Sequence, residues 1–151
     1  MIRGSYLLVI TLNDRLNIEV GKLGEILFDR GYYIYTGSAW NGIEQRLRRH
    51  FREDKRIRWH IDYLTTLKKP EYAIIIQNKR IECKMASLLS KLFNSIRGFG
   101  SSDCKCYSHL FYSKKNPEKT IKRIIVSNLK IDSERLIYYS EKDSISSHSR
   151  W

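Results

Sequence analysis

The fold of this chain is decided by residues 31–51, which read GYYIYTGSAWNGIEQRLRRHF. The first part, Gly31–Gly37, is aromatic and β-branched and ends at a glycine, which is typical of a β-strand. In the second part Ile43, Leu47 and Phe51 recur every four residues with basic residues between them, which is the pattern of an amphipathic helix. We therefore expect a strand followed closely by a basic helix.

The segments on either side extend this pattern. Residues 4–12 are apolar on both faces and predict a strand in the middle of its sheet. Residues 72–77 predict a third strand, and a short extra strand is expected around residues 18–20. Further elements are expected as follows: a helix over 59–67, a long helix from residue 82 closed by Gly98 and Gly100, a strand at 110–112 and a helix over 117–130.

This order of elements predicts an α+β fold with a small, mainly antiparallel sheet flanked by helices. At 151 residues the chain is expected to form one domain. We divide it into a core domain with a Cys/His loop over 1–112, a helical extension packed on the same domain over 113–139, and a polar tail expected to be disordered over 140–151.

The charge balance indicates a polyanionic partner. Twenty-eight Lys and Arg against sixteen Asp and Glu give a net charge of +12. An excess of this size favours nucleic acid, although a charge-rich surface can also serve solubility alone. There is no apolar run near the ~20 residues that span a bilayer and no signal-peptide pattern. We expect a cytoplasmic protein without a membrane partner.

Four soft metal ligands form a second pattern. Cys104, Cys106 and His109 lie close together, and Cys83 is the remaining cysteine. Three cysteines in a chain of this class favour reduced thiols or a metal over a disulfide framework. Zinc is one possibility, and a buried loop without metal is the other, because the spacing is tighter than that of usual zinc motifs.

A candidate site combines residues from four places. Tyr6 lies near the start of the first strand, and Tyr35 lies near the end of the second. Arg46 and His50 are four residues apart and share a helix face. Glu82 opens the long helix. Each has an ordinary structural explanation alone, but together they suggest one site.

The same residues carry a resemblance to a known family. Gly4-Ser5-Tyr6, Tyr35-Thr36-Gly37 and the pattern from Ser38 to Phe51 resemble the GIY-YIG nuclease domain. The closest resemblance is to a small archaeal branch of Uri-type endonucleases, with similar motifs around residues 59–64 and 98–104. The resemblance covers about residues 4–95 and extends weakly to about residue 112.

The resemblance implies a DNA endonuclease with one Mg²⁺ or Mn²⁺ ion. It makes Tyr6 the base or the residue that holds the attacking water, and makes Tyr35 its orienting partner. Arg46 would bind the scissile phosphate, His50 would assist the base, and Glu82 would be the metal ligand.

Further substrate contacts are expected around these residues. Compared with the family motif, this chain has one extra residue near position 41, between Gly37 and Arg46. Arg48 and Arg49 are therefore alternative phosphate ligands, although the spacing from the arginine to the histidine and phenylalanine of the motif favours Arg46. The expected substrate-binding residues are Gly37, Ser38, Arg48, Arg49 and His60, and His60 has a core contact as its alternative.

Two functions remain open from the sequence. The first is a metal-dependent DNA endonuclease, structure-selective and related to repair, with DNA preferred to RNA and targeting supplied by a partner protein. The alternative is a non-catalytic nucleic-acid-binding module on the same fold, stabilised by zinc. Oligomeric state does not follow from the sequence.

Overall fold

The computed structural model describes residues 2–102, 104–132 and 136–141, together with the backbone of 146–147. Its strands are β1 Gly4–Leu12, β2 Leu16–Glu19, β3 Glu25–Phe28, β4 Gly31–Ala39, β5 Tyr72–Gln77, β6 Asn94–Ser95, β7 Leu110–Ser113, β8 Ile137–Tyr139 and β9 Ser146–Ser147. Its helices are α1 Ile43–His50, α2 Asp62–Thr65, α3 Glu82–Ser90 and α4 Glu118–Leu129, with a 3₁₀ turn at Gly21–Leu23.

Seven of these strands form one antiparallel sheet in the order β6-β7-β4-β1-β5-β8-β9. Strand β1 lies at its centre, and its residues are buried along almost the whole length, as the apolar run over 4–12 predicts. The α+β class with a mainly antiparallel sheet is confirmed. In the part of the chain that the structure describes, no helix has the length and apolarity to cross a membrane.

Apolar clusters cover both faces of the sheet. One contains Leu8 and Ile10 from β1 together with Leu47 of α1. The other contains Leu7 of β1 and packs it against residues of α3 and α4 such as Leu89 and Ile125. Because successive strand residues point to opposite faces, β1 supplies both cores.

Three local predictions need correction. The segment expected to hold one short strand forms a hairpin, in which β2 pairs with β3. The helix expected over 59–67 is a single turn, Asp62–Thr65, flanked by turns. The long helix ends at Ser90, because the chain then turns and pairs as β6 with β7. Gly98 and Gly100 therefore lie in the loop before β7 and do not close the helix.

The C-terminal region contains the expected helix and an additional strand. Helix α4 begins directly after Pro117, as predicted. Strand β8 was not predicted, and it extends the sheet beyond β5. Within the tail that was expected to be disordered over 140–151, Ser146–Ser147 form β9 and pair with β8. Residues 142–145 and 148–151 lie outside the described residues. The domain boundaries remain predictions.

Candidate active site

A cleft of about 440 Å³ opens where β7 separates from β4. The pairing of β4 with β7 runs only from Tyr32 to Tyr35, whereas β4 continues to Ala39. Beyond this point the amide of Thr36 donates to the carbonyl of His109. The cleft is lined by Tyr6, Tyr35, Thr36, Gly37, Ser38, Arg46, Arg58, Trp59, His60, Glu82, Cys83, Gly100, Ser102, Cys104 and His109.

Tyr6 and His50 form a buried hydrogen-bonded pair behind the cleft wall. The Tyr6 hydroxyl lies 2.7 Å from Nε2 of His50, and each residue is at most 2% exposed. Burial raises the pKa of Tyr6 to about 12 and, aided by the nearby Lys55 ammonium, lowers that of His50 to about 3. Both side chains are therefore neutral at pH 7.

The ring nitrogens of His50 indicate how this hydrogen bond is oriented. Among the described residues, Nδ1 of His50 is buried without a hydrogen-bond partner. A buried N–H without an acceptor is rarer in proteins than a buried acceptor without a donor. This favours the tautomer with the proton on Nε2, so that His50 donates to the oxygen of Tyr6.

Gly37 makes room for the ring of Tyr6. The two residues are partners in the β1–β4 pairing. A Cβ atom at Gly37 would lie 2.6 Å from Cζ and from the hydroxyl oxygen of Tyr6, which is far inside contact distance. Gly37 also lines the cleft, and its predicted role in substrate binding stays a prediction. The contact with Tyr6 gives it a packing role as well, because its lack of a side chain leaves space for the tyrosine ring.

Arg46 lies between the tyrosine and the open cleft. Its Nη1 donates to the carbonyl oxygen of Ser38 at 3.1 Å, and its guanidinium carbon lies 4.4 Å from the ring centre of Trp59. The positive charge of Arg46 opposes the rise in the pKa of Tyr6 that burial causes. Ser38 thus holds Arg46 through its backbone, and both residues line the cleft.

Arg49 and Arg48, the alternative phosphate ligands, are placed elsewhere. Arg49 makes two hydrogen bonds to the fully buried carboxylate of Asp62, at 2.9 and 2.8 Å. Arg48 is exposed and pairs with Glu44 one helical turn away, at 3.3 Å. Neither lines the cleft. In this structure the arginine that faces the cleft from α1 is Arg46.

Asp62 is a site-supporting residue whose role the sequence did not define. Burial raises its pKa, but hydrogen bonds from Arg49 and from the amides of Trp59 and Arg58 outweigh burial and hold the pKa below its ordinary value. Asp62 therefore stays ionised and fixes both α1 and the segment that carries Trp59. A buried aspartate with a distant arginine leaves no local sequence signal.

Tyr35 and His60 lie on the side of the cleft next to the loop before β7. The rings of Tyr35 and His50 are 6.3 Å apart and nearly perpendicular. Nδ1 of His60 accepts a hydrogen bond from the amide of Gly100 at 2.8 Å, and its ring packs on Phe99. His60 therefore supports the loop and lines the cleft, and its role in substrate binding stays a prediction.

Glu82 enters the cleft from the first turn of α3. Its Oε2 lies 3.3 Å from the hydroxyl of Ser5, which is also 2.6 Å from the carbonyl oxygen of Lys79 and accepts from the amide of Ile81. Ser5 therefore joins the start of β1 to the start of α3. Ser5 belongs to the Gly4-Ser5-Tyr6 motif, and its contacts with the start of α3 were not predicted.

Cys83, Cys104, Cys106 and His109 converge beside Glu82, and their ligand atoms all lie within 4.8 Å of one another. Nε2 of His109 is 3.2 Å from the sulfur of Cys104 and 3.8 Å from that of Cys83. Its other nitrogen, Nδ1, is 2.5 Å from the hydroxyl of Thr36, which fixes the ring as the outer partners of metal-binding histidines do. This group can hold a metal ion, and three thiols with one imidazole suit zinc.

Comparison with known proteins adds a family to this geometry. No curated protein and no solved structure matches the chain. A family described as "Domain of unknown function DUF123" matches residues 5–130, which include β1, the cleft residues and all four ligands of the Cys/His group. The chain therefore belongs to this DUF123 family.

Proposed function

We propose that this chain is a metal-dependent endonuclease that hydrolyses phosphodiester bonds in DNA, with chemistry of the GIY-YIG type. One observation carries the proposal. Tyr6, Tyr35, Arg46 and Glu82 line the same cleft although they come from separate elements. The fifth residue of the set, His50, lies directly behind the cleft and hydrogen-bonds to Tyr6.

Arg46 is the group best placed to bind the scissile phosphate. Its guanidinium is held by the Ser38 carbonyl and by the Trp59 ring. A planar cation fixed in this way can bind two phosphate oxygens at once and needs little reorganisation as charge develops on them. In this account Arg46 holds the phosphate and stabilises its transition-state charge.

Tyr6 holds the attacking water in the proposed reaction. The phenol oxygen accepts a hydrogen bond from Nε2 of His50 and feels the positive charge of Arg46. Its own proton points away from His50 and can contact a water molecule in the cleft. When that proton passes to solvent water, the His50 N–H and the Arg46 charge stabilise the phenolate, which then takes a proton from the attacking water.

Glu82 fits a hard cation in the cleft. It is the one carboxylate among the described residues that line the cleft. Mg²⁺ and Mn²⁺ are commonly bound by one or two carboxylates together with waters and phosphate oxygens. When bound, such an ion polarises the phosphate and lowers the pKa of water. The Ser5 hydroxyl donates to the carbonyl of Lys79 and accepts from the amide of Ile81, so it ties the turn that presents Glu82 to β1.

The Cys/His group serves a separate, structural role in this proposal. Its donor atoms are sulfur and nitrogen, which prefer zinc to magnesium. Zinc would join α3 at Cys83 to the loop that carries Cys104 and Cys106. Because Cys83 directly follows Glu82, a metal at this group also fixes the helix turn that presents the carboxylate.

The proposed substrate is DNA. The net charge of +12 favours a polyanion. We propose structure-selective cleavage in a repair-related process, with a partner protein supplying the targeting. The nucleic acid itself is the partner to be tested first.

A cleavage panel tests the proposal. Labelled single-stranded, duplex, flap and branched DNA would be incubated with Mg²⁺ or Mn²⁺ and wild-type protein, Arg46→Ala or Arg48→Ala. We expect metal-dependent cleavage that falls about 100-fold or more in Arg46→Ala and stays near wild type in Arg48→Ala. Equal cleavage by the two variants would remove Arg46 from the reaction.

A non-catalytic DNA-binding module is the second candidate. The observation that favours it is the burial of Tyr6, which raises the pKa of its phenol to about 12 and so keeps it protonated at neutral pH. Binding to the whole panel without cleavage under any metal condition would support this function and contradict the first.

A further inference from the structure

A second basic cluster lies outside the catalytic set. The guanidinium carbons of Arg3 and Arg80 lie 5.6 and 4.3 Å from the ring centre of Trp40. Both arginines are exposed, and Trp40 is half-buried. We call these three residues the Trp40 patch. None of them belongs to the residues assigned to the cleft chemistry.

The patch holds two positive charges without a neutralising partner. In the described part of the chain, the ion pairs formed by Asp and Glu involve neither Arg3 nor Arg80. Both guanidiniums contact the same indole ring, so two like charges are held around one side chain. A phosphate bound to either guanidinium would reduce their repulsion, and the flat geometry of a guanidinium suits phosphate oxygens.

The pairing of the strands places the patch next to the cleft. Ser5 and Ser38 are partners in the β1–β4 pairing, and each contacts a proposed catalytic residue, Glu82 or Arg46. Arg3 precedes Ser5 by two residues, and Trp40 follows Ser38 by two. Each therefore lies about 7 Å from its serine along the strand direction.

Arg80 approaches the same place from the end of β5. The amide of Asn78 donates to the carbonyl of Arg3, which brings the β5–α3 connection beside the start of β1. Arg80 also precedes Glu82 by two residues. The patch and the proposed metal ligand are therefore neighbours on one surface.

We propose that the Trp40 patch binds the sugar–phosphate backbone of the DNA strand, one or two nucleotides from the phosphate in the cleft. This rests on the proposed function for the position of the scissile phosphate. Phosphates of one strand advance about 3.4 Å per nucleotide along the duplex axis, which matches the offset between patch and cleft. The Trp40 ring is covered by guanidinium groups, so it orients these groups and does not stack on a base.

The chemistry of the patch makes this contact independent of base sequence. Phosphate contacts fix the register of a protein on DNA, whereas contacts with base edges specify the sequence. The patch therefore sets which phosphate reaches Arg46 without choosing the bases around it.

Binding measurements on uncleaved DNA test the patch. Every protein would carry Glu82→Ala, and labelled duplex DNA of two unrelated sequences would be titrated by fluorescence anisotropy over a range of salt concentrations. The test variant is Arg3→Gln with Arg80→Gln. The control is Arg15→Gln with Arg30→Gln, which removes the same charge beyond the other end of β1, about 27 Å away.

We expect the patch variant to bind about tenfold or more weakly at 0.1 M salt, equally for both sequences, with the slope of log K against log salt reduced by about 2. The control should stay within about twofold, with an unchanged slope. Equal weakening by the two variants would mean that only net charge matters and would overturn the proposal. A loss confined to one sequence would also overturn it, because that requires base contacts.

A third variant tests the role of the indole. Trp40→Leu keeps both charges, so the salt slope should remain that of wild type while binding weakens about threefold through loss of the cation–π contacts. Unchanged affinity would exclude Trp40 from the site.

The outcome can be separated from that of the proposed function. If wild type does not cut DNA but the patch variant binds DNA more weakly and with a smaller salt slope, the catalytic proposal fails and the patch proposal holds. If wild type cuts and the patch variant binds like wild type, only the patch proposal fails.

Discussion

The two sides of the cleft are built in different ways. The tyrosine side joins Tyr6, His50 and Arg46 by direct contacts within the protein, and a buried ion pair between Arg49 and Asp62 supports it. The cysteine side brings together one thiol from the start of α3 with two thiols and one imidazole from the loop before β7. The thiol contacts are weak hydrogen bonds, so a metal bound to this group would supply most of the stabilisation of this side. The tyrosine side is held by contacts within the protein, whereas the cysteine side has the ligands to be held by a metal.

Removing a ligand of the cysteine side should have the largest effect on stability. We expect wild type to contain one zinc per chain and Cys104→Ser to lose it, which lowers the free energy of unfolding by about 5 kcal/mol or more. The melting temperature should fall by about 10 °C or more. Metal analysis and thermal unfolding measure both effects.

His60→Gln is the control for this change, since His60 lies in the same cleft but outside the metal-binding group. It should retain the zinc. Equal zinc content in wild type and Cys104→Ser would contradict the assignment of the cysteine side.

Breaking the ion pair beneath the tyrosine side should have the next largest effect. Asp62→Ala leaves Arg49 and two backbone amides without their acceptor, so we expect a loss of about 3–5 kcal/mol in denaturant unfolding. Asp29→Ala removes an exposed ion pair with Arg15 and should cost about 1 kcal/mol or less. Zinc content should not change in either variant. Similar losses for the two variants would mean that burial adds nothing to the Asp62 contact.

The buried histidine predicts a dependence of stability on pH. His50 is neutral in the folded protein down to its lowered pKa of about 3, whereas in the unfolded chain it binds a proton near pH 6.5. Below about pH 6.5 the unfolded state therefore binds more protons, and stability falls as the pH decreases towards 3. Above about pH 7 this contribution is constant.

His50→Gln removes the titrating group and can still donate a hydrogen bond to Tyr6. Lowering the pH from 7.5 to 5 should therefore reduce the unfolding free energy of wild type more than that of the variant. Denaturant unfolding at the two pH values measures this difference. A gap that does not change with pH would contradict a neutral, buried His50.

Arg48 should have the smallest effect. Its pair with Glu44 is exposed, so Arg48→Ala should change the free energy of unfolding by about 0.5 kcal/mol or less. Thermal unfolding beside Arg49→Ala gives the comparison, and that variant should lose several times more. A large loss in Arg48→Ala would mean that α1 presents a different face to the core.

Elements with a strong and continuous pattern could be predicted from the sequence. Strands β1 and β4 and helix α1 follow from unbroken apolar or four-residue patterns. Helix α3 was extended too far because Leu92 and Phe93 continue its apolar spacing, although Leu92 is exposed and the chain turns to pair with β7. Strand β8 was missed because its three residues lie in the segment over 113–139 that was expected to be a helical extension.

The cleft residues could be brought together from motifs that lie far apart in the sequence, and the Cys/His group from local spacing. The spacing of Cys104, Cys106 and His109 suggested a metal-binding group, and Cys83 completes it in the structure. The ion pair between Arg49 and Asp62 was not predictable, because these residues meet only after folding. The role of Gly37 also depends on the strand register that places it opposite Tyr6.

The central claim is that Glu82 binds the metal ion that cleavage requires. Its carboxylate lies in the cleft between the tyrosine side and the cysteine side. The most direct test is the single-turnover rate on the best DNA substrate with Mg²⁺ or Mn²⁺ for wild type, Glu82→Gln and the control Glu44→Gln. We predict that Glu82→Gln is slower by about 1000-fold with unchanged zinc content, and that Glu44→Gln stays within about twofold of wild type. Cleavage by Glu82→Gln at the wild-type rate would contradict the account.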